Sequence, residues 1–89
     1  MRKVKSVTIN GKRWRVEWKP LRGEYGTSCN SEKVIEMDSG MKDNVTVATI
    51  LIHEMLHGMW PDVEEDAICQ RADELCLALN RVGLIADDD

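Results

Sequence analysis

Residues 51–66 read LIHEMLHGMWPDVEED. Both histidines of the chain stand in this stretch, four apart, with Glu54 directly after the first. The same sixteen residues mark a change of secondary structure. Upstream, apolar side chains recur at Val47, Ile50, Leu51, Met55 and Met59, the spacing of one helix face. Asp43 or Asn44 supplies an N-cap. Gly58 is expected just past the helix end, and Pro61 blocks simple continuation. A second helix is then expected from about Asp62, with Glu64, Glu65 and Asp66 favourably set in its first turn. Its apolar stripe is Ile68, Ala72, Leu75, Leu79 and Val82, and Gly83 ends it.

Working outward, "VKSVTINGKRWRVEW" (residues 4–18) holds two alternating runs about Asn10-Gly11, a strong hairpin signal. Val7 and Ile9 form one apolar row, with Lys5 in line. Trp14, Val16 and Trp18 form the other, while Arg13, Arg15 and Glu17 face away. Pro20 ends the ribbon. Residues 33–37 (KVIEM) form the expected third strand, closed by Asp38-Ser39-Gly40. The element order is therefore β-β-β-α-α. The expected fold is α+β: a three-stranded, mostly antiparallel sheet, an N-terminal hairpin plus an edge strand, packed on two helices. Residues 1–86 make one domain, and 87–89 an acidic, loose tail.

Bulk properties narrow the class. Eighty-nine residues leave room for one core, and 43% apolar with 31% charged residues describes an ordinary globular chain. The longest apolar run, residues 47–52, is too short to span a bilayer, and no secretory signal follows the basic start. A cytoplasmic protein with no membrane partner is expected, in the host cell if the chain is phage-encoded. The three cysteines agree with a reducing compartment. Cys69 and Cys76 lie about 10.5 Å apart along a helix, beyond disulfide reach, and are expected as small apolar filler. Without a CxxC pair, a cysteine zinc ribbon is excluded. Residues 1–22 carry eight Lys or Arg against one acid, a charge of +7, so the remainder carries −11 toward the total of −4. A basic half of this kind suits an anionic partner such as nucleic acid, or simply a solvated hairpin.

His53-Glu54-Met55-Leu56-His57 matches H-E-x-x-H. Residues four apart share a helix face, so the two imidazoles can converge on one Zn2+ while Glu54, projecting beside it, takes a proton from water. A third ligand is needed, and with no further histidine it must be a carboxylate. On a helical wheel with Ile68 at zero, Glu65 falls at about +60°, Glu64 at about −40° and Asp66 at about 160°. Once Cys69 and Cys76 widen the stripe, Glu65 lies nearer its centre. Glu65 is the expected ligand and Glu64 the substitute. A sheet edge formed by residues 33–37 beside this helix would let an extended peptide pair with it. No residue stands out as oxyanion donor; Tyr25 is the only tyrosine.

The run "GTSCNSEKVIEMDSG…TVATILIHEMLHGMWPDVEEDAICQRADELCLALNRVG" resembles minimal gluzincin-type zinc metallopeptidases, the short phage and bacterial proteins related to the SprT-like and ImmA/IrrE groups. The resemblance covers roughly residues 25–83. It implies His53 and His57 as zinc ligands, Glu54 as catalytic acid and base, a glutamate of "EED" as third ligand, and Thr49 as a packing or capping residue before the motif. The third histidine and cysteine ribbon frequent in SprT-type proteins are missing, as is the extra helical part of ImmA/IrrE proteins. The implied activity is hydrolysis of a protein or peptide substrate. The contrasting expectation is a non-catalytic, metal-containing module that docks protein or nucleic acid through its basic hairpin.

Overall fold

The computed structural model describes residues 3–85, so the expected tail at 87–89 lies outside the described residues. The chain runs β1 (Ser6–Ile9), β2 (Lys12–Lys19), β3 (Gly26–Cys29), β4 (Val34–Asp38), α1 (Asn44–Met59) and α2 (Glu65–Arg81). The β1–β2 turn places Asn10 and Gly11 at φ +51° and +77°, the two left-handed residues that a type I′ hairpin demands. Register follows, with Ile9 opposite Lys12 and Val7 opposite Trp14.

The sheet has four strands in the order β1-β2-β4-β3, and it is mixed. The expected three-stranded, mostly antiparallel arrangement is corrected in two ways. β4 lies inside the sheet, parallel to β2, with Val16 beside Ile35 and Trp18 beside Met37. The edge belongs instead to β3, antiparallel to β4. β4 is thereby flanked on both sides, and its Ile35 and Met37 are 0% exposed. β3, made of Gly, Thr, Ser and Cys, has no apolar alternation of its own and becomes a strand by pairing.

Trp14, Val16, Ile35 and Met37 form one sheet face and pack with Ile9 and Val47, against which Ile50, Leu51, Met55 and Met59 of α1 close. α1 begins at Asp43, whose carboxylate accepts from the Thr46 amide at 3.0 Å and from its hydroxyl at 2.6 Å. It runs one residue past Gly58, which the sequence places beyond the helix. There the absent side chain matters: a Cβ on Gly58 would stand 3.0 Å from Ile9 Cδ1 and from Trp14 Cη2. Two asparagines meet the carbonyls that a helix end leaves unpaired: Asn10 donates to Met59 O and Asn30 to Gly58 O, each at 3.2 Å.

α2 starts three residues later than the sequence suggests, with Glu64 at its N-cap. It folds back on α1 through Ile68 and Ala72 against Leu56, and it reaches no strand. The molecule is thus three tiers: sheet, α1, α2. The stripe fades along α2, since Leu75 is 48% and Val82 69% exposed. The last contact of α2 with the start of α1 is at Cys76, which meets Thr49 and Val45; Val82 lies beyond it. Cys76 is buried, as expected of filler, but Cys69 is exposed. No described helix is long and apolar enough to cross a membrane.

Candidate metal centre

His53 and His57 sit one turn apart on α1, on the side that meets the first turn of α2. Their rings pack edge to face with centroids 4.8 Å apart, and the two Nε2 atoms approach to 3.1 Å. Glu65, the first residue of α2, closes the third side. Its Oε1 lies 2.6 Å from His57 Nε2 and its Oε2 3.2 Å from His53 Nε2. The candidate ligand atoms of all three residues fall within 4.8 Å of one another. Of the three acids that open the second helix, the fold brings Glu65 to the histidines; Glu64 is the N-cap residue and exposed.

The donor set fits a tetrahedral zinc ion. Bonds of about 2.0–2.1 Å at tetrahedral angles put neighbouring ligand atoms about 3.3 Å apart. The 3.1 Å between the two imidazole nitrogens is close to this, whereas the 2.6 and 3.2 Å contacts run to different oxygens of Glu65, so a small turn of that carboxylate would bring one oxygen to both nitrogens. Three lone-pair donors facing one point repel unless a proton or a cation sits among them. Two imidazoles and one carboxylate would leave a tetrahedral ion with one open position.

Glu54 points from the same helix into the same cleft but toward the sheet. It is 7% exposed. Burial lifts its carboxyl above the ordinary carboxylate range, opposed by the nearby His53, the Ser28 hydroxyl and His57. The cleft, about 570 Å³ in volume, is bounded on one side by β3 and the loop before it and on the other by Pro61 and Glu65. Tyr25 stands at its margin, 61% exposed. Thr49 serves packing: its hydroxyl donates to Val45 O and meets the Cys76 Sγ, each at 2.8 Å, and so ties α1 to α2.

Sequence reading misses several residues of this cleft, among them Gly26, Ser28 and Asn30. The first two occupy alternate positions of a strand that carries no apolar pattern. Their period of two beside a glycine is the only trace they leave in the sequence. Against known proteins, no family model, curated protein or solved structure matches this chain.

Proposed function

We propose that this chain is a small zinc-dependent peptidase of the minimal gluzincin type, akin to the SprT-like and ImmA/IrrE groups, acting in the cytoplasm on an extended segment of a protein substrate. The observation that carries the reading is the convergence of His53, His57 and Glu65 beside a buried glutamate in an open cleft. A zinc ion held by those three residues supplies Lewis acidity, acidifying a water and polarising the scissile carbonyl. Glu54 removes a proton from the attacking water as the new C–O bond forms. It then delivers that proton to the departing amide nitrogen as the C–N bond breaks.

β3 supports the substrate side of the reading. As an edge strand lining the cleft, it offers unpaired backbone donors and acceptors to an added strand. Recognition by main chain favours an unfolded or looped segment over a fixed side-chain signature. The alternative, a module that docks nucleic acid through the N-terminal hairpin, is weakened by the acids on the same sheet face. Lys19 pairs with Glu36 at 2.7 Å and Glu17 at 3.4 Å, and Arg15 with Glu17 at 3.4 Å.

The test is Glu54→Gln, assayed on an unstructured protein such as casein. The variant is expected to hold zinc as the parent does and to lose cleavage. Equal cleavage by parent and variant would remove Glu54 from the mechanism.

A further inference from the structure

β3 lies alongside the stretch of α1 that carries the histidines. At its start the Gly26 backbone presses on the helix: a Cβ there would stand 2.7 Å from Ile50 Cγ2 and 3.1 Å from Glu54 Cγ. Just past its end, Asn30 Nδ2 donates to Gly58 O at 3.2 Å. From Ile50 to Gly58 a helix rises about 12 Å, and from Gly26 to Asn30 an extended chain advances about 13 Å. Strand and helix therefore keep pace. His53, Glu54 and His57 fall between the two points of contact.

The edge that β3 offers is short. Of Gly26–Cys29, only alternate residues turn their N–H and C=O away from β4, and past Cys29 the chain enters a turn. An extended peptide paired with β3 runs out of backbone partners there, at the His57 end of the cleft. Asn30 stands at that place and lines the cleft with His53, Glu54 and His57. Its side chain is a primary amide, with two N–H donors and a carbonyl oxygen, the same groups that a backbone peptide presents. One N–H goes to Gly58 O, among the carbonyls that a helix end leaves unpaired. That oxygen only accepts, so the nitrogen faces it and Oδ1 takes the other branch of the amide. Among the described residues this side chain makes no second hydrogen bond, which leaves one donor and one acceptor. The anchor is firm, because Gly58 is buried against Ile9 and Trp14.

We propose that Asn30 is a substrate-positioning residue: its carboxamide, anchored on Gly58, carries the β3 edge one amide further and holds the main chain of an extended peptide at the His57 end of the cleft. The effect on turnover rests on the peptidase reading; the docking of the peptide does not. An amide of this kind reads backbone and is indifferent to the side chains of the substrate.

Asn30→Ala and Asn30→Gln are compared with the parent on three peptides: one spanning a casein cleavage site, and two forms of it trimmed on the N-terminal or the C-terminal side. Trimming the side that reaches Asn30 removes the contact. The parent is expected to prefer the full peptide over that trimmed form in kcat/KM. In Asn30→Ala this preference is expected to fall about 3- to 10-fold, the size of one hydrogen bond, mainly through KM, and Asn30→Gln, which keeps the amide, is expected to regain part of it. Zinc affinity, read by competition with a chromophoric chelator, is expected to stay at the parent's value. Equal losses on all three peptides, or a zinc affinity that falls with kcat/KM, overturn the proposal, because Asn30 would then only hold α1 and His57. An unchanged preference in Asn30→Ala overturns it too. If the parent cleaves nothing, the peptidase reading fails, and docking is decided by titrating casein into the 15N-labelled protein. Movement of the Asn30 side-chain N–H resonances then supports the contact, and their constancy overturns it.

Discussion

Glu54 is the one polar or charged residue among those described that the fold buries, and burying its charged form costs stability. Burial raises its pKa, so the folded state binds the proton more tightly than the unfolded chain does. The stabilising effect of that proton is fully present below the unfolded value of about 4.3 and is lost as pH rises through the folded value. Glu54→Gln should therefore melt at a higher temperature than the parent when both are metal-free at pH 7, and the gap should close near pH 4. Thermal melts with chelator at the two pH values check this; a gap that persists at pH 4 would mean packing, not charge, separates them. Glu36 has the opposite sign. Lys19 and then Thr27 hold its carboxyl below the ordinary range, so its contribution is present above the unfolded value and fades on acidification. His53, Glu54, His57 and Glu65 are legible in the sequence because each depends only on helical periodicity and a short connection. Ser28 is not legible, because its place in the cleft depends on the register of a strand with no apolar signature.

Among the elements, β3 separates what sequence reading reaches from what it misses. The hairpin, the inner strand at 34–38 and both helices show their periods plainly. β3 does not, and omitting it places the sheet edge at β4, where the fold places it at β3. Gly26 makes the edge possible, so Gly26→Ala is expected to push β3 off α1. The cost is about 1–3 kcal/mol for overpacking a tight site, and casein cleavage should fall further than zinc affinity. Chemical denaturation beside a zinc competition assay checks both. α2 depends on a short seam, and Ile68 is 2% exposed within it. Ile68→Ala is expected to lose about 2–5 kcal/mol and to weaken zinc binding, because Glu65 rides on the helix that it anchors. Unchanged zinc affinity in that variant would mean Glu65 is held without the seam.

Taken whole, the molecule stacks sheet, α1 and α2, and the candidate metal lies between the last two tiers. α2 touches α1 and no strand, so a cation bound by two residues of α1 and one of α2 is a clasp across that boundary. Binding to the folded state alone stabilises it by about 2.7 kcal/mol at a hundred times the dissociation constant. Hydrogen exchange is accordingly expected to slow on adding zinc, most in the first turns of α2 and least in β2 and β4. The most direct test of the central claim is a zinc titration of the parent and of His53→Ala, His57→Ala and Glu65→Ala, each first shown to be folded. One zinc per chain in the parent, with a large loss of affinity in all three variants, is the predicted result. Parent-like affinity in any one of them would contradict a centre built from two imidazoles of one helix and a carboxylate of the next.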